Sequence, residues 1–433
     1  MPSREQLVQL YRDFDPAEPV SQATLGQFVE RSGESAATIV EDLQLGLDPL
    51  GKWVITGSVG CGKSSELVKV ADLLRADYAV VPLDLPNSVA RVDMLQPAEI
   101  LFLIGAATVK AARDLWGHEI ATASQDRLIK AFAGLVPDRD LDLNAVFEGV
   151  ALFLGDLVVP GAGRIAAAAT KTVEVARQRH RPSALGGKTR PLQEGEADLQ
   201  RLLEALDLIL QEVRSSYRAP VILVDGLDKL LELAKIRELF VTTRTLCEPT
   251  CIIVYTGPIT LMLAPEWKTT GDHFRRVRLS NLVVRPPGVD SIALPVERIE
   301  NDRERLRDLV RLRLAERGLD VPHVFEADSL ALLIDASGGL VRDLVHLVNR
   351  SIRSALKRGA PAIAVADVRV AREELRKDMD ISLNTMLRDE IAHVERLGEP
   401  SGSPESHRLL LWGYVLPYTN GRVWFEPHPL LRD

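Results

Sequence analysis

The residues Gly57-Ser58-Val59-Gly60-Cys61-Gly62-Lys63-Ser64 follow the spacing G-x-x-x-x-G-K-S, which is the spacing that cradling a polyphosphate requires. Glycines let the backbone curl so that successive N–H groups face anionic oxygens. A helix beginning near Lys63 adds unpaired N-terminal donors and the positive end of its dipole. In this reading Gly57, Ser58, Val59, Gly60, Cys61, Gly62 and Ser65 form the cradle. Lys63 reaches the β/γ-phosphates, and the Ser64 hydroxyl binds Mg²⁺.

A second constellation lies about 160 residues further on. Pro220-Val-Ile-Leu-Val-Asp225 is an apolar run ending in a carboxylate, the pattern of a strand buried on both faces of a parallel sheet. Asp225 would emerge beside the phosphate loop as the second magnesium-side residue. Asp228, three positions on in DGLDK, is placed to orient or deprotonate an attacking water; as a bland alternative it caps a helix. Thr256 ends the run Cys251-Ile-Ile-Val-Tyr255. There a polar side chain would lie between the two motifs and could bond the γ-phosphate or the water. Arg342 falls in the first turn of a helix introduced by Ser337-Gly338-Gly339, from which it could reach the phosphates from the opposite side.

These residues need a scaffold, and the chain supplies an alternation of strands and helices. Trp53–Ile55 reads as a strand, and the helix after the glycine loop runs to about Arg75. Tyr78–Asp84 is a second strand, placed at an edge by Pro82, which cannot donate to a ladder. Residues 97–213 are alanine- and leucine-rich and read as a helical insertion. A helix over Leu230–Leu246 and a fifth strand around Arg276–Leu282 complete this region. Arg275, Arg276 and Arg278 form either a solvated face or a source for an arginine finger into a neighbouring subunit's nucleotide. Arg285-Pro286-Pro287-Gly288 reads as a boundary. Helices follow over 302–316, 329–335, 340–356 and 366–378. The last segment has two helical stretches and then aromatic and β-branched runs around Asn420-Gly421, a hairpin signal that suggests a winged-helix-like module. The expected organisation is an N-terminal helical segment (1–50), a core (51–285), a helical unit (289–378) and the C-terminal module (379–433).

The most apolar stretch, Ala145–Thr170, is cut by Glu148, Asp156, Pro160 and Arg164 into runs shorter than the roughly 18–20 residues a bilayer requires. A buried helical hairpin is expected there, with docking on a membrane surface or a partner as the alternative, and not a membrane span. Arg181–Glu196 reads as a loop, and Lys188 in its GGKT lacks the upstream glycine and strand of a second phosphate loop. With a net charge of -8, the chain is not one that coats nucleic acid non-specifically. Three cysteines do not build a disulfide framework, and the opening residues have no signal-peptide pattern. The expected compartment is a reducing cytoplasm.

Taken together, these residues resemble the additional-strand P-loop ATPases of the AAA+ and STAND families, over about residues 45–375. GSVGCGKSS resembles their Walker A motif, VILVDGLDK the Walker B motif in its "DGLD" form, VYTG the sensor-1 strand end, and SGGLVRDLVHLVNRS the sensor-2 helix of origin-recognition-type lids. The resemblance implies an α/β fold with a 5-1-4-3-2 parallel sheet and a helical lid, with ATP and Mg²⁺ bound and slowly hydrolysed. It implies a switch that acts on a protein partner, with a homo-oligomer as a further expectation. The combination with a winged helix resembles bacterial ATPases of anti-phage and other conflict systems. Two other readings stay open: an origin-recognition-like DNA-binding or loading ATPase, and a nucleotide-binding scaffold without hydrolysis. The C-terminal segment, with five arginines, no lysine and eight acidic residues over 380–433, has the wrong charge balance for DNA. In one respect the chain departs from the AAA+ pattern. Gly226 stands where a glutamate usually follows the magnesium-side aspartate, which leaves Asp228 to supply the carboxylate.

Overall fold

The computed structural model describes residues 2–16, 24–30, 35–135, 142–153, 196–264, 273–288 and 294–432. The expected hairpin over 145–170 lies outside these residues beyond Phe153, as do the loop at 181–195 and Lys188.

Among the described residues, one sheet holds β1 (Lys52–Gly57), β2 (Ala79–Asp84), β3 (Ala151–Leu152), β4 (Pro220–Asp225), β5 (Ile252–Pro258) and β6 (Arg275–Leu279), in the order β3-β2-β4-β5-β1-β6. Without the antiparallel β3, the parallel strands run β6-β1-β5-β4-β2, which is the expected 5-1-4-3-2 order of a P-loop NTPase. The central strands β1 and β5 are buried along their whole length, and β4 in all but its last residue, because helices cover both faces. On one face lies the helix Pro97–Trp116, backed by Thr122–Leu135 and Glu196–Ser216. Pro97–Trp116 buries residues all round its circumference, as a helix inside a core must. On the other face lie Lys63–Leu74 and Ala36–Gln44.

Two local expectations are corrected. Pro82 does not mark a free edge: β2 is flanked by β4 and by β3, and the Pro82 carbonyl accepts from the Phe153 N–H at 3.1 Å. Proline lacks only a donor, so its carbonyl can still close a short bridge. The single helix expected over Leu230–Leu246 is instead a helix Leu233–Arg237, a π turn Glu238–Thr242 and a 3-10 turn Thr245–Cys247. The β-branched run Val241-Thr242-Thr243 with Thr245 has little helical preference.

Helices Val296–Ala315, Ser329–Ala336, Val341–Arg358 and Val365–Asp380 share a second core. Leu7, Leu10 and Phe14 belong to this core. They come from the helix Arg4–Asp13, whose start is fixed by the reciprocal Ser3/Gln6 cap. The N-terminal residues therefore divide, the first helix joining this helical unit and Ala36–Gln44 joining the sheet. Helices Thr385–Leu397 and Pro404–Trp412 lead into the hairpin β7 (Val415–Asn420) and β8 (Arg422–Pro427), in which Asn420 pairs with Arg422 across Gly421. Tyr418 and Trp424 stack at 5.5 Å and lie in the same apolar cluster as Ile55 and Val254 of the sheet. The hairpin is thus seated on the face of the sheet that Lys63–Leu74 covers. Trp424→Ala is expected to lower unfolding free energy by about 3–5 kcal/mol, read by denaturant titration; a loss under about 1 kcal/mol would place the hairpin outside the cooperative core.

Candidate functional site

The site forms where β1 and β4 end at the carboxyl edge of the sheet. β1 delivers the glycine loop, whose last turn becomes the helix Lys63–Leu74. That helix has no side-chain cap at Gly62, so its first-turn N–H groups remain for an anion. Gly60 has a φ of 86°, and a Cβ there would lie 2.5 Å from the Cβ of Arg342. The close approach is held by the Arg342 N–H, which donates to the Gly60 carbonyl at 3.1 Å. Glycine at 60 is thus what lets the helix Val341–Arg358 meet the loop.

Lys63 is buried, with 3% of its surface exposed. Its Nζ donates to the Gly57 and Ser58 carbonyls, both at 2.9 Å, and pairs with Asp228 Oδ2 at 2.9 Å. Burial works to lower its pKa, but Asp228, with smaller help from Cys61 and Asp225, outweighs it and the net direction is up. The lysine is a desolvated cation held by its own loop.

Asp225 takes a hydrogen bond from Ser64, and its Oδ1 accepts from Thr256 Oγ1 at 3.1 Å. Burial first, and the charge of Asp228 second, push its pKa up to about 6, against the Ser64 hydrogen bond. Thr256 is fully buried and also accepts from the Gly226 N–H at 2.8 Å. Its hydroxyl is committed to bracing the end of β4 and does not line the cleft. Gly226 has a φ of 110°, and a Cβ there would lie 2.3 Å from Pro86 Cδ. A side chain at the usual AAA+ glutamate position is therefore excluded by the neighbouring turn.

The cleft above these groups has a volume of 260 Å³. One wall carries Val59, Gly60, Gly62, Lys63, Ser64, Ser65, Asp84, Asp225 and Asp228; facing them are Phe28, Arg305, Leu309, Arg313 and Arg342. Of the sequence-predicted residues, Val59, Gly60, Gly62, Lys63, Ser64, Ser65, Asp225, Asp228 and Arg342 line the cleft, whereas Gly57 and Ser58 do not, Thr256 lies behind Asp225, and the Cys61 side chain is buried beneath the loop, 1% exposed. Asp84 was not anticipated, though the run Val80-Val-Pro-Leu-Asp84 repeats the apolar-then-aspartate pattern of β4. Phe28, Arg305 and Arg313 reach the cleft from distant segments and carry no local signal.

Among the described residues no group of three or more His, Cys, Asp or Glu is arranged to hold a metal alone. The donors here, one hydroxyl and one carboxylate, suit Mg²⁺, which takes few protein ligands and shares phosphate oxygens.

No protein-family model and no curated protein matches this chain. Among solved structures it is similar to the Thermotoga maritima RuvB Holliday junction branch migration motor, at 13% identity and TM-score 0.38, over 95% of this chain and 96% of that one. It is also similar to the Aeropyrum pernix ORC2 protein in ADPNP–ADP complexes, at 12% identity and TM-score 0.42, over 97% and 94%. For the Aeropyrum pernix ORC1 protein in complex with DNA the values are 14% and 0.40, over 98% and 93%. At these scores the similarity says nothing of activity.

Two outcomes follow from the geometry. The folded protein holds the Asp225 proton more tightly than the unfolded chain does, so this group costs stability as pH rises from 3.8 through about 6. Asp225→Asn should raise the melting temperature at pH 8 by roughly 2–4 °C, and the gain should shrink at pH 5; an equal gain at both would contradict the burial of this carboxylate. Gly226→Glu should destabilise by roughly 2 kcal/mol or more through strain and overlap, as followed by thermal melting.

Proposed function

We propose that the chain is an AAA+/STAND-type switch that binds Mg·ATP between the glycine loop and the helical unit, hydrolyses it slowly, and passes the change to a protein partner. The observation that carries this reading is Lys63, a buried ammonium whose present partners are two carbonyls of its own loop and Asp228. A terminal phosphate offers this cation a stronger partner, in a cleft whose far wall supplies Arg305, Arg313 and Arg342.

The roles follow from placement. First-turn N–H groups of the Lys63 helix hold the β-phosphate, and Lys63 turns from Asp228 towards the γ-phosphate. Ser64 and Asp225 hold magnesium, which when bound would offset the charge of the phosphate oxygens. Asp228, freed from Lys63, becomes the carboxylate that accepts a proton from water. Thr256 keeps Asp225 in place from behind. Arg342, tied through its backbone to Gly60, reports the loop's state to the lid. Because Asp228 must first exchange Lys63 for a water, slow turnover is expected. The acidic balance of the C-terminal segment favours a protein over DNA as what that module meets.

Steady-state phosphate release with Mg·ATP tests the proposal. Lys63→Ala should lose turnover and weaken binding by at least about tenfold, 1.4 kcal/mol, while Asp228→Asn should bind more tightly and lose turnover. Turnover in Lys63→Ala equal to that of the unaltered protein would end this reading.

A further inference from the structure

Asn281 lies two residues beyond β6 and is buried, with 1% of its surface exposed. Its Nδ2 donates both to Ser58 Oγ at 3.0 Å and to the Pro417 carbonyl at 3.2 Å. A carbonyl only accepts, so the nitrogen must face Pro417 and the orientation of the amide is fixed. The Asn281 backbone N–H reaches the same carbonyl at 3.4 Å. Among the described residues its buried Oδ1 has no hydrogen-bond partner, a cost that a merely space-filling residue would not carry.

Ser58 is the second residue of the glycine loop, and its carbonyl is one of the partners of Lys63. Pro417 and Tyr418 belong to β7, and the Tyr418 hydroxyl donates to the Gly338 carbonyl at 2.7 Å in the turn that leads to Arg342. One side chain therefore joins the phosphate loop to the C-terminal hairpin, and the hairpin in turn holds the lid's entry turn.

We infer that Asn281 is a positioning residue that couples nucleotide occupancy to the C-terminal hairpin. The inference rests on the proposed Mg·ATP site. When Lys63 leaves the Ser58 carbonyl for a phosphate, Ser58 loses its hold on one side and keeps Asn281 on the other. The shift is then felt at Pro417 and Tyr418. Coupling of this kind is reciprocal, so a hairpin held in place also favours nucleotide binding.

The test uses the full chain, with Mg·ATP affinity from calorimetry and amide exchange over residues 415–427. In the unaltered protein, nucleotide should change exchange in the hairpin. Ser58→Ala and Asn281→Ala should each weaken binding by about tenfold, the scale of one buried hydrogen bond to a site group. The double variant should be no worse than either alone, because both remove one link. At saturating nucleotide the hairpin response should vanish in each variant, a result that general loss of stability would not give. Ser58→Ala removes only a hydroxyl and decides the matter if Asn281→Ala does not fold. Additive losses, or a hairpin response that survives in the variants, would overturn the coupling while leaving the nucleotide site standing. Absence of Mg·ATP binding in the unaltered protein would overturn the site reading and the coupling together.

Discussion

The structure turns on one buried ammonium. Lys63 has left water, and its charge is met by two main-chain carbonyls and the Asp228 carboxylate. Stripping a cation of solvent without partners is prohibitive, so the loop must keep the curled shape that aims those carbonyls inward. That shape needs β1 and β4 on the two sides of β5, which the sheet order supplies. It also needs glycine at 60, where the helix Val341–Arg358 comes within contact of the backbone.

The carboxylates at the strand ends are held unequally, and this gives them different work. Asp228 faces the lysine and is balanced by it. Asp225 is walled in, with Ser64 and Thr256 as its hydrogen-bond partners and Asp228 as a repelling neighbour. Burial and the neighbouring charge of Asp228 together push its pKa up to about 6. The turn Leu85-Pro86 next door closes the position after Asp225 to any side chain. The absence of a glutamate there is therefore built into the backbone.

Much of this was legible in the chain. Continuous apolar runs ending in Asp225 and Thr256 marked buried parallel strands, and the glycine spacing marked the phosphate loop, because both follow from local backbone demands. Helix positions in the lid were readable from their apolar spacing. What escaped were contacts made at long sequence distance. Nothing near Phe28, Arg305 or Arg313 signals that they line the same cleft, and Asn281 has no motif at all. The strand expected to end before Thr256 continues to Pro258, and the Thr256 hydroxyl is consumed by Asp225 and Gly226. The helix after Leu230 breaks where a β-branched run has little helical preference, and the edge at Pro82 is closed by a carbonyl that proline leaves free to accept.

The central claim is that Asp228 competes with the nucleotide for Lys63. Calorimetric titration of Mg·ATP into the Asp228→Asn protein tests it most directly. With the competing carboxylate neutralised, Lys63 should be freer to engage phosphate, and affinity should rise above that of the unaltered chain. Unchanged or weaker binding would contradict the account.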